Sequence, residues 1–479
     1  MIVPFLFTFD EYSKEKPTHQ WVANKFLDFC FKNHFPVILQ EKYTKLPSEY
    51  KEKNHNSTSK KMQNDFGYEV LSNEEFKNID IKKITKAEEK EILSISKSID
   101  DVYKKILSEE NKIFSKIIEK KIKEIEDSYQ EKIEAIITWI WYPSLELVAK
   151  KHNIQVISYE INTFRPGKYR DTLGYFLKGC KYKNNEILNG YYKNKERLRN
   201  KLLLSNKEII SLFIDDEHAT FINECDKNPE YEVGIAFGLK KEYFALIYDE
   251  YDNNKILESI EKYTPRKKIS IRSHPANQVD ESNYHYSFDH SFESIEWITK
   301  CRNIVCQVSN IGYEAILFNR GLISTNDSMI TSFGKKCNLE YNDAKYYDNI
   351  DLNFLTFIYY APYDLMFDVD YIRYRLSERD ITKVYEYNMN HILKKYGLNI
   401  NKLKRMNLKE RFITILNTHN ISDEEKQKII RDAFEVNRYN ELDREKDKLI
   451  LSKEKTIDEI FNSRSWKILE KLRKLRPGK

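Results

Sequence analysis

The sequence predicts an α/β protein made of two Rossmann-like units, and three observations carry that expectation. At 479 residues the chain exceeds what one hydrophobic core usually organises. Two separate stretches alternate short apolar strands with amphipathic helices and polar loops, the pattern of parallel sheets covered by helices. Hydrophobic residues make up 41% of the chain and aromatics 13%, enough to fill ordinary cores and to exclude global disorder.

The first stretch opens with the apolar run Ile2 to Phe9. It lacks a basic flank and is too short to cross a bilayer, so it reads as a strand rather than a leader. A helix over Trp21 to Asn33 and the strand PVILQ follow. Residues 43–80 are polar and read as a long insertion or loop. From 84 to 133 a helical stripe runs through Ile92, Ile95, Ile99, Val102 and Ile106, continues at Ile113 and Ile117, and resumes one residue on at Ile118, Ile122 and Ile125. Its heptad register drifts, so a long helix packed on its own domain is expected over a coiled-coil partner helix. Ala135 to Trp141 then reads as a strand, with Ser144 capping a helix through Lys151. The strand Ile154 to Tyr159 ends at Glu160, before Asn162 and the loop Phe164-Arg165-Pro166-Gly167.

Residues 181–205 read as a basic connection. The second stretch reads as strands at 209–214, 231–237 and 244–248, then a helix at 253–263. Strand 268–272 runs into Ser273-His274-Pro275, and helix 292–300 and strand 303–308 follow. Ser309-Asn310-Ile311-Gly312 opens a helix through Phe318, and a turn leads to the strand Leu322 to Ser324. From about 370 onward the chain reads as charged helix.

The 80 basic and 75 acidic residues leave a net charge of +5, gathered mainly at the C-terminus. That balance excludes a typical nucleic-acid binder and favours an enzyme with a local basic patch. The cysteines at 30, 180, 225, 301, 306 and 337 form no CxxC and no zinc-finger spacing, so reduced thiols in the cytoplasm are expected.

Chemistry concentrates at predicted strand ends, where open parallel sheets bind ligands. In NIVCQVSNIGYEAILFNRGLIS, a buried strand gives way to Ser309, Asn310 and Gly312 at a helix start. Backbone N–H groups and hydroxyls there suit a phosphate, with the helix dipole adding roughly 0.3–1 kcal/mol per charge. Glu314 can accept ribose hydroxyls; the simpler alternative makes Ser309 and Asn310 caps only. Arg272 and His274 stand at another strand end, where Pro275 fixes the backbone. Either can contact a phosphate, and a charged His274 can assist a leaving group. Glu160 and Glu242 are the leading carboxylates, as base or nucleophile. Asp215-Asp216-Glu217 is a competing acidic cluster, metal-binding or simply a turn.

The order ISYEINTFRPGKYRDTLGY, EVGIAFGLKKEYFALIY, ISIRSHPANQ, CQVSNIGYEAILFNRGLIS resembles bacterial β-Kdo glycosyltransferases of capsule and O-antigen assembly, over roughly 135–325. The His-Pro pair and Ser-led helix are shared more widely, including with sialyltransferases. The resemblance implies a GT-B-like pair of domains, CMP-Kdo or a related CMP-activated acidic sugar as donor, retention of configuration, and no metal or other cofactor. It gives Glu160 catalytic or acceptor-side work, sets Asn162 and Arg165 on the acceptor side, and puts the CMP phosphate on His274, Ser309 and Asn310. The family pattern calls for a Gln and then an Asp after the 231–237 strand, where this chain has Lys240, Lys241, Glu242 and Tyr243. Either Glu242 replaces the Asp, or donor and mechanism differ.

The expected division is an acceptor-side domain at 1–200 with its helical insertion at 84–133, a nucleotide-sugar domain at 205–365, and a helical region at 366–479. The last ends in NSRSWKILEKLRKLRPGK, where leucines and Trp466 alternate with basic residues; a helix of this kind over 463–479 can lie on an anionic membrane surface. Expected partners are a nucleotide-sugar donor and a glycan or lipid-linked glycan acceptor, at the inner face of the cytoplasmic membrane. The alternatives are a UDP- or GDP-sugar donor, or a non-catalytic assembly scaffold.

Overall fold

Two sheets with the same strand order organise residues Met1–His419. The computed structural model describes residues 1–8, 19–49, 56–95, 98–178, 193–238, 253–274, 279–306, 310–324, 335–336 and 347–434.

The first sheet contains β1 (Ile2–Leu6), β2 (Val37–Gln40), β3 (Ile81–Ile84), β4 (Ala135–Thr138), β5 (Gln155–Ile161) and β6 (Leu173–Lys178). The second contains β7 (Tyr231–Ala236), β8 (Ile269–Arg272), β9 (Ser287–Phe288), β10 (Cys301–Cys306), β11 (Gly321–Ser324) and β12 (Lys335–Lys336). A last strand, β13 (Tyr360–Pro362), pairs antiparallel with β6. The first sheet runs β13-β6-β5-β4-β1-β2-β3 and the second β12-β11-β10-β7-β8-β9. Counted within each sheet, the parallel part follows the 3-2-1-4-5 order of doubly wound folds, extended to a sixth strand in the second. The fold is therefore two Rossmann-like domains, GT-B-like, as expected.

β1 sits at the first switch point, between β4 and β2. Its residues are buried throughout, which is why it reads as an unbroken apolar run. β7 holds the same place in the second sheet, between β10 and β8.

Several local readings change. The 84–133 segment is three helices, Lys86–Leu93, Ile99–Ser108 and Lys112–Tyr129, not one. The last break is set by Asn111, whose Oδ1 accepts the Phe114 N–H at 3.0 Å. Ile92, Ile106, Ile118, Ile122 and Ile125 all enter the first sheet's own core. Ser144 does not cap its helix, which starts at Pro143. It instead ties that helix to Asn111, with its Oγ accepting the Asn111 N–H at 2.9 Å. Within 43–80, helices Lys60–Phe66 and Asn73–Lys77 form, the second with a Ser72/Glu75 capping box. The segment read as a strand at 209–214 is the helix Asn206–Phe213, opened by a Ser205/Glu208 capping box.

After the second sheet the chain returns to the first through a helix at Asn349–Phe354 and β13. Helices Val369–Ser377 and Ile381–Lys395 follow. Residues 420–479 form a separate unit, of which a helix over 423–434 is described. The 463–479 tail and the 244–248 segment lie outside the described residues. No described helix is long and apolar enough to cross a membrane.

Candidate active site

The carboxyl ends of β5, β8 and β10 bring the sequence-predicted residues together. Glu160 is the penultimate residue of β5, half-buried and opposite Tyr175 of β6. A side chain at Gly174, one step along that pair, would have its Cβ 2.8 Å from the Glu160 carbonyl oxygen, so only glycine fits beside it. Asn162 follows, fully buried, with its Oδ1 accepting the Thr163 N–H. Its Nδ2 makes no hydrogen bond among the described residues.

The loop from Asn162 to Thr172 then turns toward the second sheet. Phe164 anchors it, stacked on Phe213 with ring centroids 4.4 Å apart and edge-on to Tyr313 at 5.4 Å. Gly167, at φ +99°, allows a turn that a side chain would strain.

Asn310 opens the helix Ile311–Leu317, yet its side chain does not cap it. Its Oδ1 accepts from Tyr175 Oη at 2.9 Å, its Nδ2 donates to the Ile161 carbonyl at 3.4 Å, and its own carbonyl accepts from Thr163 Oγ1 at 2.7 Å. Asn310 is thus a clasp between the two sheets, neither the free phosphate donor nor the simple cap expected. Gly312, two residues on, is buried in the helix.

Glu314 is buried as well, and its carboxylate is committed to the chain. Lys168 Nζ and Tyr169 Oη reach one oxygen at 2.7 and 2.9 Å, and Ser294 Oγ the other at 2.5 Å. Burial pushes its pKa up, but the Lys168 charge and these hydrogen bonds outweigh it and hold the carboxyl below its ordinary value. Glu314 therefore joins the Asn162–Thr172 loop to the second sheet.

Arg272 ends β8 with its guanidinium turned to the segment after β9. It pairs with Asp289 and donates to Ser291 Oγ and the Ser291 carbonyl, each at 3.0 Å. Ser273 is next, its buried Oγ without a partner among the described residues. His274 follows, half-buried. Burial first, and then the nearby Arg165 guanidinium, hold its imidazole below its ordinary pKa, so the ring is neutral at pH 7. The Arg165 guanidinium, from the loop after β5, is thus near enough to act on the His274 imidazole at the end of β8.

Ser309, Glu242 and the Lys240–Tyr243 segment lie outside the described residues. In the acidic cluster, Asp215 meets His218 Nδ1 at 2.7 Å and Asp216 meets His419 Nδ1 at 2.8 Å. No group of three or more potential metal ligands occurs among the described residues. Sequence reasoning missed Thr163, Lys168, Tyr169, Tyr175 and Ser294 because their work is contact between the sheets, which no local spacing announces.

With this geometry in place, the comparisons with known proteins bear on the first sheet. Residues 5–181 match the Glycosyltransferase 99 family N-terminal domain. The match runs from β1 through β6 and contains Glu160, Asn162 and Arg165, in agreement with the resemblance read from the sequence. Among solved structures, Thermosulfurimonas dismutans KpsC, described as a beta Kdo 2,7 transferase, is 11% identical over 51% of this chain and 82% of its own, with a TM-score of 0.33. A second structure of that organism's KpsC, a beta Kdo 2,4 transferase, is 10% identical over 46% and 78%, with a TM-score of 0.27. The wall teichoic acid polymerase TagF is 13% identical over 91% and 90%, with a TM-score of 0.19. No curated protein matches the chain.

Proposed function

We propose that this protein is a glycosyltransferase of bacterial surface-polysaccharide assembly, transferring an acidic sugar such as Kdo from its CMP conjugate to a glycan acceptor. The observation that carries the reading is that Arg165, from the loop after β5, lies near enough to His274, at the end of β8, to help hold its imidazole below its ordinary pKa. Both follow carboxyl ends of strands in doubly wound sheets, where such folds bind ligands, which supports a site shared by acceptor and donor.

In this reading the CMP phosphate accepts from His274 and from Ser309, while Asn310 holds the helix start in place. The neutral imidazole donates a hydrogen bond to the phosphate and gains a proton as negative charge builds there. A carboxylate, Glu242, attacks the anomeric carbon as the bond to the CMP oxygen breaks, and CMP leaves with that electron pair. The acceptor hydroxyl then displaces the carboxylate while Glu160 takes its proton, so two inversions give net retention. Arg272 supports the His274 strand end through Asp289 rather than touching the phosphate. No metal takes part in these steps.

The test is thermal stabilisation of the purified protein by CMP, UMP, GMP and the corresponding diphosphates. Selective stabilisation by CMP, abolished in His274→Ala, is expected. Selectivity for UDP or GDP would replace the donor and keep the transferase. Indifference to all of them would overturn the reading in favour of a non-catalytic scaffold.

A further inference from the structure

Away from the Arg165–His274 cleft, the first domain holds an open cavity of about 640 Å³. Its walls are the outer face of the helix Gln20–Asn33, residues 64–67, the far side of the 166–172 loop, and residues 363–367. The volume falls within the range of small-molecule sites.

Each of its cations is already engaged. Lys32 pairs with Asp28 at 2.9 Å, and Lys395 lies between Asp171 at 2.9 Å and Asp364 at 3.1 Å. Arg170 is stacked on Tyr396 and occupied by the Leu212 and Ser211 carbonyls. Lys25 lies over the Phe367 ring at 4.5 Å and donates to the Gly67 carbonyl. The four cations of the lining, Lys25, Lys32, Arg170 and Lys395, are matched by four carboxylates, Asp28, Asp65, Asp171 and Asp364, so the cavity has no formal excess of positive charge to draw a phosphate or an acidic sugar.

Two polar side chains on its wall remain uncommitted: Asn64 and Asp65 have no hydrogen-bond or ion-pair partner among the described residues. Beside them stands Phe66, held at 4.6 Å against Trp21, and across from it Pro166 and Phe367 line the space. Planar hydrogen-bonding groups next to apolar plates suit a sugar ring, which presents hydroxyls at its edge and C–H groups on its face. The wall also adjoins residues read as part of the transfer site. Pro166 directly follows Arg165, and Tyr169, on the same wall, donates to Glu314 in the helix that Asn310 opens.

We infer that this cavity binds an uncharged sugar residue of the acceptor glycan, gripping the chain at a distance from the hydroxyl that reacts. The inference rests on the glycosyltransferase reading for the word acceptor, but sugar binding here can be measured without it. Binding away from the reacting centre adds affinity for the acceptor while leaving donor recognition alone.

The experiment is saturation-transfer NMR on the full chain with methyl α-D-mannopyranoside, methyl β-D-glucopyranoside and methyl β-D-galactopyranoside, with no nucleotide present. At least one should receive saturation. The Asn64→Ala/Asp65→Ala variant, altered at two side chains that bond nothing else among the described residues, should bind it roughly tenfold more weakly. Its thermal response to CMP should match the unaltered protein. Loss of glycoside binding in the variant supports the cavity even if CMP stabilises neither protein, in which case only the donor reading falls. The inference is overturned if no glycoside receives saturation at millimolar concentration, if the variant binds as well as the parent, or if CMP displaces the glycoside.

Discussion

Tyr175 Oη donates to Asn310 Oδ1 across 2.9 Å, joining the antiparallel strand of the first sheet to the helix start of the second. Both groups lie beside Glu160, whose charge contributes, after burial and Tyr359, to the raised pKa of the Tyr175 phenol. Tyr175→Phe removes the donor and leaves the carboxamide oxygen unmet. A loss of about 1–3 kcal/mol is expected from urea titration, with an unchanged slope. CMP stabilisation should weaken too, because the helix start is then less firmly set.

The Lys168–Glu314 pair should behave as a buried unit. Replacing Lys168 by Met leaves the buried Glu314 carboxylate without its cation and should cost about 3–5 kcal/mol; Glu314→Gln should cost less, because Lys168 keeps Glu293 at 3.3 Å. The double variant should lose less than the sum, which a double-mutant cycle measures. Because the Glu314 pKa is depressed in the folded state, its contribution is present above the unfolded value of 4.5 and is lost as pH falls through the folded one. The stability difference between the parent and Glu314→Gln should therefore shrink in acid.

His274 gives the cleft a pH dependence of its own. Burial and Arg165 keep the ring neutral, and a bound phosphate would favour its charged form. CMP binding should therefore take up a proton and tighten as pH falls through the range where the ring titrates. Calorimetry in buffers of different ionisation enthalpy reads that uptake. His274→Gln should abolish it.

Lys25 makes a prediction of opposite chemical sign. Burial, opposed by Asp28, pushes its amine from 10.5 down to about 8. Below pH 8 both folded and unfolded chains carry the proton, and the folded state bears the desolvation cost. Between about 8 and 10.5 only the unfolded chain holds it, so stability from this group rises with pH. Lys25→Met should be more stable at pH 7, by on the order of 3 kcal/mol before lost contacts are counted. That advantage should disappear by pH 10.5.

The alternation of strands and helices in the two sheets was legible from features the sequence displays openly. Continuous apolar runs such as Ile2 to Leu6 mark strands buried on two faces, and the helices between them repeat at helical spacing. Where a helix is buried all round, the run loses its period. Ile209, Ile210, Leu212 and Phe213 are all buried in the helix Asn206–Phe213, and such a run reads as strand. The Ser205 to Glu208 spacing was the signal that could have corrected it. At the site, strand ends revealed Glu160, Arg272 and His274. They did not reveal that Asn310 and Glu314 look inward to the first domain, because those bonds span 135 and 145 residues of chain.

The antiparallel pairing of β13 with β6 governs the order in which this protein can be finished. On the ribosome, β1 to β6 emerge early, but the strand that covers the β6 edge is not made until residues 360–362. Throughout synthesis of the second sheet, the nascent first domain carries an open row of backbone donors and acceptors along Leu173–Lys178. That interval is when a stray strand, or a neighbouring nascent chain, competes for the edge. A fragment stopped near residue 200 would keep the competition open for good, so such a piece should self-associate where the longer chain does not.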